Sequence, residues 1–497
     1  MRLSELLKNV NCLKIVGDLE TEVCGLACDS RKVSKGFCFV AVNGNKTDGN
    51  RFVDDAMSRG AVAVISETSI AKVGLAASVK VTNARIALAK MSSVFFGNPS
   101  SKMTLIGITG TNGKTTTAHL LESILNHAGR KAGVLGTIEH RWPGHSEKAT
   151  HTTPESCDLQ KILSSMKALG VDSCAMEVSS HALSQHRVDS CAFDCAVFTN
   201  LTPEHLDYHE NMEDYFEAKA GLFERVLLES SKQNKYSIVN LDDEFGVRLL
   251  DRSAGECITY GFSKSAKVRG ENLRFNSKGI SFDLSAEGRS LKITSRLWGK
   301  FNALNILAAA ASAWSLGIDF DDIKAGVESL ERVPGRFQII PNEKGVLGFV
   351  DYAHTPDALE NVLLNAREFL SENGGRLISV FGCGGDRDKL KRPVMGKIAG
   401  SCCDITIVTS DNPRTEDPGA IIDEILTGLC ESSNPFDGRR GYLVEKDRAR
   451  AIARAVEIAR IGDVIVVAGK GHEDYQIIGE NRFDFDDSLV LKKEFES

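Results

Sequence analysis

The 497-residue sequence lacks three patterns that would place it in special structural classes. It has no C-x-x-C pair among its 13 cysteines, whereas structural zinc sites usually repeat closely spaced pairs of ligands. Its longest apolar stretch, at 304–318, is shorter than the roughly 20 residues needed to cross a bilayer. Basic residues are not in excess, because Lys and Arg number 60 against 67 Asp and Glu. These absences argue against structural zinc, a membrane span and a generally basic nucleic-acid binder.

The composition is ordinary for a soluble globular protein, with 42% hydrophobic and 26% charged residues and a net charge of −7. We interpret the scattered cysteines as small buried hydrophobic residues in a reducing cytosol. Glu5 and Lys8 interrupt the segment that would form the apolar core of a signal peptide. We therefore expect a cytoplasmic monomer that has neither a membrane nor nucleic acid among its partners.

Turn-rich points divide the chain into three segments, as its length predicts at roughly 150 residues per domain. We expect domains at 1–99, 100–333 and 334–497. The third segment contains the continuous apolar runs RLISVFG, DITIVTS and DVIVVAG, which are typical of parallel strands covered on both faces. Each run ends at a polar or glycine-rich loop, and we expect these loops to meet at one edge of the sheet.

The string GITGTNGKTTT at 107–117 follows a predicted strand and precedes a helical pattern, as a phosphate loop does. Its glycines permit a tight turn whose N–H groups face phosphate oxygens, and the helix N-terminus adds partial positive charge. Lys114 is placed to reach the β and γ phosphates, and Thr115 to ligate Mg²⁺. Ile108 occupies the first glycine position of the strict motif. The loop alone leaves GTPases and small-molecule kinases open, although the guanine-reading string N-K-x-D, at 45–48, precedes the loop instead of following it.

Ionisable residues beyond this loop are candidates for metal binding and catalysis. Glu177 ends a predicted strand and is placed to ligate a nucleotide-bound Mg²⁺. His205 and His209 have the four-residue spacing of a metal pair on a helix, but no H-E-x-x-H string supports zinc. Lys219 falls within the apolar stripe of a predicted helix at 211–228. A lysine in that position must snorkel, pair with an acid or be chemically modified.

This series of motifs resembles the Mur ligase family over essentially the whole chain. The resemblance implies an α/β fold with a UDP-sugar-binding N-terminal domain, a central P-loop ATPase-like domain and a Rossmann-like C-terminal domain that binds an amino acid. The motifs that carry the resemblance are CDSRKV (28–33), GTNGKTT (110–116), HTTP (151–154), MEVSSHALSQHRV (176–188), NLTPEHLDYH (200–209), YFEAKAGLF (215–223), GKFNALN (299–305), PGRF (334–337), DYAHTPDAL (351–359), GGDRDKLKRP (384–393), DNPR (411–414) and GKGHE (469–473).

The resemblance implies an ATP-dependent, amide-bond-forming ligase of peptidoglycan synthesis, with roles in cell wall biogenesis, cell shape and cell division. ATP would phosphorylate the D-glutamate γ-carboxylate of UDP-N-acetylmuramoyl-L-alanyl-D-glutamate, and an amino group would then displace phosphate from the acyl phosphate. Bringing anions together requires clustered positive charge and Mg²⁺.

Four residues are the catalytic candidates that the resemblance implies. Lys114 binds phosphate, and Glu177 together with Thr115 holds the Mg²⁺ bound with ATP. His205 binds a second Mg²⁺, with the help of Lys219 in carbamylated form. Because the 14 positions from His205 to Lys219 would span about 21 Å in one straight helix, the chain must break between them if both serve one site.

The resemblance also assigns binding residues for each substrate. The ATP residues are Gly110, Thr111, Asn112, Gly113, Lys114, Thr115, Thr116, Asn302, Arg336 and Asp351. The UDP-muramoyl-dipeptide residues are Cys28, Ser30, Asn45, Lys46, Thr47, Thr152, Thr153, Ser179, Gln185 and Arg187. The amino-acid residues are Arg387, Asp411, Asn412, Pro413, Arg414, Gly469 and Glu473.

The DNPR string at 411–414 indicates that the incoming amino acid is meso-2,6-diaminopimelate. In the family this arginine accompanies diaminopimelate-adding members, whereas lysine-adding relatives carry other residues there. A planar guanidinium at Arg414 suits the second carboxylate of diaminopimelate, and Glu473 is placed to pair with the distal ammonium. The alternatives are an L-lysine-adding Mur ligase, a folylpolyglutamate synthetase-like ligase and a nucleotide-dependent scaffold without turnover.

Overall fold

The computed structural model describes residues 1–44, 47–70, 74–206, 208–276 and 279–497. Across these ranges the strands form an N-terminal sheet, a central sheet, a C-terminal sheet and a separate hairpin. Each sheet takes its strands from one continuous part of the chain, and helices cover the apolar strands. The α/β fold class predicted from the sequence is confirmed.

The N-terminal sheet has the strand order β1-β5-β4-β3-β2, with β1 antiparallel to its neighbour and the other strands parallel. Buried aliphatic side chains of the inner strands pack against the helices. The strands are β1 (Cys12–Gly17), β2 (Gly25–Ala27), β3 (Phe37–Val40), β4 (Ala63–Ser66) and β5 (Ala77–Val81). The helices are α1 (Leu3–Leu6), α2 (Val53–Ser58) and α3 (Ala84–Phe95).

The central sheet has a parallel core and antiparallel strands at both edges. Its strands are β6 (Thr104–Thr109), β7 (Ala132–Leu135), β8 (Glu139–Trp142), β9 (His145–Lys148), β10 (Ser173–Glu177), β11 (Cys195–Phe198), β12 (Tyr236–Asn240), β13 (Glu256–Gly261), β14 (Val268–Asn276), β15 (Gly279–Ala286) and β16 (Arg289–Ser295). Its helices are α4 (Lys114–His127), α5 (Ser156–Ala168), α6 (Ser180–Ser184), α7 (Met212–Gly221), α8 (Glu244–Leu249), α9 (Lys300–Ser315) and α10 (Phe320–Ser329).

The position of β6 explains where the functional loops of the central sheet meet. This strand lies between β10 and β11, and all three run parallel. Their side chains are buried on both faces, which matches the continuous apolar runs in the sequence. Since parallel neighbours end at the same edge, the phosphate loop, Glu177 and the loop after β11 are brought together.

The C-terminal sheet has the order β17-β18-β22-β19-β20-β21 and is parallel except for β17. Its strands are β17 (Gln338–Ile340), β18 (Leu347–Asp351), β19 (Leu377–Phe381), β20 (Ile405–Val408), β21 (Gly441–Val444) and β22 (Val464–Ala468), and β23 (Tyr475–Ile478) with β24 (Asn481–Asp484) forms the separate hairpin. Its helices are α11 (Pro356–Asn373), α12 (Lys391–Cys402), α13 (Pro418–Leu429), α14 (Arg448–Ile458) and α15 (Asp487–Glu496).

Two expectations about apolar residues can be compared with the structure. The apolar stretch at 304–318 lies largely in α9, which is buried, and none of the helices in the described ranges has the length and apolarity to cross a membrane. All cysteines are free thiols, but Cys24 and Cys430 are exposed. The interpretation of the cysteines as small buried hydrophobic residues is therefore wrong for these two, and Cys430 is exposed because it follows the last residue of α13. Five others are partly buried, namely Cys12, Cys28, Cys257, Cys402 and Cys403.

Candidate active site

The phosphate loop lies at the carboxyl end of β6 and leads directly into α4, as predicted. Gly110 and Gly113 have φ values of 146° and 86°, a backbone region that favours glycine. A Cβ on Gly110 would lie 1.9 Å from Oγ1 of Thr199, and one on Gly113 would lie 2.2 Å from Oδ1 of Asn305. Both glycines are therefore required by conformation and by close approach of neighbouring side chains.

Two lysines converge on one backbone carbonyl of this loop. Nζ of Lys114 donates to the carbonyl oxygen of Gly110 at 2.8 Å, and Nζ of Lys219 donates to the same oxygen at 2.9 Å. Burial lowers the pKa of Lys219 well below its ordinary value, and the charge of Lys114 lowers it further, while Glu204 opposes the shift. Burial also lowers the pKa of Lys114. Lys219 thus lies buried against the phosphate loop, in surroundings that favour its uncharged amine.

Glu177 ends β10 beside the phosphate loop, where the sequence predicts it. Its carboxylate accepts hydrogen bonds from the N–H of Thr137 at 2.9 Å and from the Thr137 hydroxyl at 3.0 Å. A Cβ on Gly136 would lie 2.3 Å from Oε1 of Glu177. Thr137 therefore orients Glu177, and sequence analysis missed it because the two residues are 40 positions apart.

Glu204 is a second cavity-lining carboxylate that sequence analysis missed, although it lies within the NLTPEHLDYH motif. Burial alone would raise the pKa of Glu204, but the nearby positive groups, chiefly His205 and Lys114, lower it overall. Oε2 of Glu204 lies 3.8 Å from Nε2 of His205. This carboxylate is a counter-charge for the two lysines of the phosphate loop.

His205 and His209 do not form a pair on a helix, so that interpretation of their spacing is wrong. His205 has a left-handed φ of 58° and lies in a loop, and Asn211 caps the helix α7 that follows. Nε2 of His209 lies 3.0 Å from Oγ of Ser180, which turns this histidine toward α6. His205 stays at the cavity together with Lys219, and the loop supplies the chain break that a shared site requires.

The phosphate loop lines one wall of a cavity of about 500 Å³, and residues around the C-terminal sheet form the opposite wall. Nη2 of Arg336 donates to Oγ1 of Thr115 at 3.1 Å. The Asp351 carboxylate accepts from the N–H groups of Phe337 at 2.6 Å and Ala353 at 2.8 Å. Burial raises the pKa of Asp351. Arg336 and Asp351, both predicted ATP residues, thus lie opposite the phosphate loop.

Asp357, at the start of α11, joins this wall to the phosphate loop. Its Oδ2 accepts from Nδ2 of Asn112 at 3.0 Å and from Oγ1 of Thr202 at 2.7 Å. Asn112 and Asp357 are 245 positions apart in the chain. Sequence analysis gave Asp357 no role, because such a contact has no local signal.

Helix α9 presents Asn305 to the cavity and holds Asn302 behind it. Nδ2 of Asn302 donates to the carbonyl oxygen of Trp298 at 2.6 Å, and Oδ1 of Asn302 accepts from Asn305 at 3.1 Å. The assignment of Asn302 to adenine stays a prediction. Asn305 is the cavity residue of this helix that sequence analysis missed, although it lies in the same GKFNALN motif.

The oxygen atoms around the cavity suit Mg²⁺. The hydroxyl of Thr115 and the carboxylates of Glu177 and Glu204 are hard oxygen ligands. Across the described ranges, no group of three or more His, Cys, Asp or Glu side chains forms a ready-made metal site. Mg²⁺ commonly takes only one or two carboxylates and completes its shell with water and substrate phosphates. The residues present therefore fit a Mg²⁺ that arrives with a nucleotide.

A second cavity, of about 470 Å³, adjoins the first and extends to the C-terminal GKGHE loop. The lining residues common to both cavities are Thr137, Thr152, Ser179, His205 and Tyr352. The second cavity is also lined by Thr153, Arg187, His472, Glu473 and Tyr475, among others. It thus extends from the first cavity to Glu473, one of the residues predicted for the amino acid.

Four of the five residues predicted for the UDP-muramoyl-dipeptide in the central segment form one hydrogen-bonded group, and the fifth, Thr152, lies 3.1 Å from the hydroxyl of Thr137. Nη1 of Arg187 donates to the carbonyl oxygen of Thr153 at 2.8 Å, and Nη2 donates to Oε1 of Gln185 at 2.8 Å. The N–H of Ser179 donates to Oγ1 of Thr153 at 3.1 Å. A carboxylate oxygen of Glu155 lies 2.8 Å from Nη2 of Arg187, so this guanidinium is fixed at the edge of the second cavity.

The predicted UDP-muramoyl-dipeptide residues of the N-terminal segment lie elsewhere. Cys28 is half-buried, Ser30 is buried and Thr47 is exposed. None of these predicted residues is among the described residues that line the two cavities. Asn45 and Lys46 lie outside the described residues.

The loops after β19, β20 and β22 meet at one edge of the C-terminal sheet, as predicted. Nη1 of Arg414 donates to the carbonyl oxygen of Gly385 at 2.8 Å, and the N–H of Gly385 donates to the carbonyl oxygen of Asn412 at 2.9 Å. Nδ2 of Asn412 donates to Oε2 of Glu473 at 2.8 Å. Arg387 is exposed in the first of these loops. The structure thus brings together most of the residues predicted for the amino acid.

Gly469, Asp411 and Pro413 complete this edge. Gly469 has a φ of 119°, and a Cβ on it would lie 2.6 Å from Oδ2 of Asp411, so the backbone approaches this carboxylate closely. Asp411 and Pro413 are buried. All three therefore line the inner side of the loops that carry Arg414 and Glu473.

Lys470 is hydrogen-bonded to these loops, and sequence analysis gave it no role. Its side chain is fully buried, and Nζ donates to Oδ1 of Asn412 at 3.0 Å and to the carbonyl oxygen of Tyr475 at 2.8 Å. Nζ also lies 3.5 Å from Asp411 and 3.8 Å from Glu473. Burial raises the pKa of Glu473, and Asp411 raises it further, while Lys470 opposes the shift. One lysine therefore balances two carboxylates at this end of the second cavity.

Three family models match consecutive parts of the chain. The Mur ligase family catalytic domain matches residues 22–95, the Mur ligase middle domain matches 108–313, and the Mur ligase glutamate ligase domain matches 335–471. Fold and site thus define an ATP-using ligase that forms amide bonds. The chain belongs to the Mur ligase family, as the sequence motifs predicted.

Full-length relatives and solved structures agree with this placement. UDP-N-acetylmuramoyl-L-alanyl-D-glutamate–2,6-diaminopimelate ligases of Geobacter metallireducens and Geobacter sulfurreducens are 47% and 48% identical, each match covering 98% of this chain and 97% of the relative. A solved structure of an enzyme of that name has a TM-score of 0.71 at 32% identity, covering 100% of this chain and 99% of the other. The MurF ligase of Thermotoga maritima in complex with ADP shares the fold, with a TM-score of 0.62 at 22% identity over 97% of this chain and 99% of the other.

Proposed function

We propose that this protein joins meso-2,6-diaminopimelate to the D-glutamate γ-carboxylate of UDP-N-acetylmuramoyl-L-alanyl-D-glutamate, with conversion of ATP to ADP and phosphate. The observation that carries the proposal is the pair of adjoining cavities. One is lined by the phosphate loop, and the other shares lining residues with the first and extends to Glu473. A carboxylate lying between them is in reach of a nucleotide on one side and an amino acid on the other.

The phosphate loop and its lysines act on the first step. Lys114 offsets the charge of the transferred phosphoryl group. Glu177 and Thr115 would hold a Mg²⁺ that arrives with the nucleotide, and this ion would supply Lewis-acid catalysis at the phosphates. The γ-carboxylate oxygen forms a bond to phosphorus while ADP leaves, which gives an acyl phosphate. Arg336, which contacts Thr115, adds positive charge from the C-terminal wall.

Lys219 and His205 also line the phosphate-loop cavity, and we assign them to the same step. An uncharged Lys219 amine can add CO₂ and release one proton, which yields a carbamate with two oxygen ligands. That change would convert a buried amine beside Lys114 into an anion able to bind a second Mg²⁺ with His205. The lowered pKa of Lys219 favours the amine that this reaction needs.

The second step takes place where the loops of the C-terminal sheet meet. The amino nitrogen of diaminopimelate attacks the acyl carbon, phosphate leaves, and the nitrogen loses one proton. Arg414 and Arg387 would hold the distal carboxylate, and Glu473 the distal ammonium. The planar guanidinium suits a carboxylate, whereas L-lysine presents no carboxylate at that end.

The three segments divide this work. We assign the UDP-sugar to residues 1–99, ATP to 100–333 and the amino acid to 334–497. Cys28, Ser30, Asn45, Lys46 and Thr47 would contact the UDP-sugar part of the substrate. Of these, the described residues Cys28, Ser30 and Thr47 line neither the first nor the second cavity. We further propose that the protein acts as a cytoplasmic monomer.

A phosphate-release assay with the UDP-muramoyl-dipeptide and different amino acids tests the function. We expect meso-diaminopimelate to stimulate release, and L-lysine to have little effect. Equal or greater turnover with L-lysine would show the lysine-adding alternative to be correct. Turnover with a folate substrate and L-glutamate would indicate the folylpolyglutamate synthetase-like alternative, and no turnover with any amino acid would indicate a scaffold.

A further inference from the structure

Two loops of the C-terminal segment carry the arginines that the proposed function assigns to the distal carboxylate. Residues 382–388 carry Arg387, and residues 411–416 carry Arg414. We call them the paired loops. Neither loop belongs to a helix or strand of the sheet, so hydrogen bonds between the loops help to set the positions of the two arginines. The backbone of Arg414 is also bonded to the β23–β24 hairpin, since its N–H donates to the carbonyl oxygen of Ile477 at 3.2 Å.

The paired loops contact one another through backbone and side chains. Oδ1 of Asp386 accepts from the hydroxyl of Thr415 at 2.7 Å, and Arg414 donates to the carbonyl oxygen of Gly385 at 2.8 Å. Asp386 and Arg414 both have left-handed backbones, with φ values of 55° and 53°. Such conformations are costly for residues other than glycine and persist where surrounding contacts enforce them.

Glu416 is the residue on which these contacts converge. Its Oε1 accepts from the N–H of Asp386 at 2.6 Å, which ties the second loop to the first. Its two oxygens also accept from Nη2 and Nη1 of Arg392 at 2.9 and 3.0 Å, and Nζ of Lys389 lies 3.1 Å away. Hydrogen bonds from Arg392 and from the Asp386 N–H lower the pKa of Glu416 to about 2.

Arg392 anchors this arrangement to α12. Its side chain is fully buried, and Nη2 also donates to the carbonyl oxygen of Gly384, in the first of the paired loops, at 3.2 Å. A bidentate pair between a planar guanidinium and a carboxylate fixes direction as well as distance. Glu416 is thus held in one orientation and in turn holds the backbone beside Arg387.

We propose that Glu416 is a positioning residue that fixes the paired loops, and with them Arg387 and Arg414, for the distal carboxylate of the amino-acid substrate. The proposal rests on the proposed function. Glu416 acts through the loops and does not touch the substrate. Its contribution follows from geometry, since a displacement of about 1 Å in a binding group is enough to lose most of a directed interaction.

Glu424 offers a matched control. This residue of α13 accepts from Nη1 of the same Arg392 at 2.8 Å, so its removal also weakens an ion pair of the buried guanidinium. It lies on a helix and not in either of the paired loops. A purely structural role for Arg392 and its partners predicts similar effects of the two substitutions, whereas positioning by Glu416 predicts different ones.

The test compares Glu416→Ala and Glu424→Ala with the wild type, using meso-diaminopimelate and L-lysine in turn. For Glu416→Ala we expect kcat/KM with meso-diaminopimelate to fall about 30-fold, through KM, while the weak kcat/KM with L-lysine stays within about twofold. The kcat/KM with L-lysine should not change because L-lysine lacks the distal carboxylate that the two arginines would bind. The KM for ATP should stay unchanged, and Glu424→Ala should resemble the wild type in all values.

Two results would overturn the proposal. One is an equal loss with both amino acids in Glu416→Ala, and the other is an equal loss in Glu424→Ala. Glu416→Gln keeps an oxygen for the Asp386 N–H, so it should recover much of the affinity and provides the answer if Glu416→Ala does not fold. A wild-type enzyme that prefers L-lysine would instead refute the proposed function, and the two failures are therefore distinguishable.

Discussion

Nζ of Lys219 donates a hydrogen bond of 2.9 Å to the carbonyl oxygen of Gly110, the oxygen that also accepts from Lys114. A buried lysine that shares an acceptor with the phosphate-binding lysine suits modification, because two adjacent cations would repel one another. We therefore expect Lys219→Ala to lower kcat about 100-fold, and millimolar formate or acetate to restore part of it by supplying the missing carboxylate. Steady-state phosphate release measures both effects.

Lys114→Ala is the control for this rescue. It removes a lysine bound to the same carbonyl oxygen, but no carboxylate replaces its positive charge. We expect formate and acetate to leave its activity unchanged. Equal rescue of both variants, or rescue of neither, would contradict the carbamate at Lys219.

Arg414→Ala tests whether Arg414 binds the distal carboxylate of meso-diaminopimelate. Loss of a bidentate, charge-assisted contact costs about 2–3 kcal/mol, so we expect KM for meso-diaminopimelate to rise about 30- to 150-fold. The KM for ATP should change by less than about twofold, because Arg414 is not among the residues that line the phosphate-loop cavity. Arg482→Ala removes another guanidinium, which stacks on Tyr475 at 3.9 Å, and should have little effect. An unchanged KM for diaminopimelate in Arg414→Ala would refute the assignment.

The Arg448–Asp487 pair predicts a large effect on stability. Both side chains are fully buried, and Nε and Nη2 of Arg448 each donate to the carboxylate at 2.7 Å. Asp487→Ala would leave the guanidinium buried and uncompensated, so we expect the free energy of unfolding to fall by about 3–5 kcal/mol. Urea unfolding measured by circular dichroism would detect this loss.

Two comparisons make this stability test specific. Glu457→Ala removes the partner of Arg454 in an exposed pair with an N–O distance of 2.6 Å, and should change stability by less than about 1 kcal/mol. Replacing Arg448 by Met and Asp487 by Leu together should recover most of the loss. If Glu457→Ala and Asp487→Ala lowered the free energy of unfolding by equally small amounts, burial of the Arg448–Asp487 pair would not determine its contribution to stability.

His119 predicts a dependence of stability on pH. Burial, with smaller contributions from the charges of Arg141 and Arg336, lowers the pKa of His119 to about 3. Below about pH 6.5 the unfolded chain binds a proton that the folded chain does not bind until about pH 3. Stability therefore falls as the pH drops through this range, by about 1.4 kcal/mol per pH unit for this one group.

For His119→Gln we expect the free energy of unfolding to depend less steeply on pH than in the wild type, by about 1.4 kcal/mol per pH unit between about pH 6 and pH 4. Urea midpoints measured across this range for both proteins give the difference. A constant difference in the free energy of unfolding between the two proteins reports the changed packing. A difference in how steeply the free energy of unfolding depends on pH reports the lost titration of His119. Parallel profiles for His119→Gln and the wild type would show that His119 is not held neutral.

The parts of the site that sequence analysis found are those with a local signal. The phosphate loop is recognisable because glycines, lysine and threonines lie within a few residues between an apolar strand and a helix. Glu177 was found in the same way, since it ends an apolar strand. The gathering of the C-terminal loops followed from a general rule, because parallel neighbouring strands end at one edge.

The residues that sequence analysis missed act over long separations. Glu204 and Lys470 lie within motifs that were recognised, but only the structure shows which charges surround them. Asp357 contacts a residue 245 positions away. The helical interpretation of His205 and His209 failed for a related reason, since a four-residue spacing does not show whether the chain is helical there.

By itself, the sequence determined the α/β class, the family and the phosphate loop, because apolar strand runs and glycine turns are local properties of the chain. The tertiary structure decided which charged groups share a site. It placed Lys219 on the carbonyl oxygen of Gly110 and joined Glu416, in the loop that carries Arg414, to the N–H of Asp386, in the loop that carries Arg387. Electrostatic and hydrogen-bonding interactions depend on distance in space, which only the packing of the sheets and helices sets.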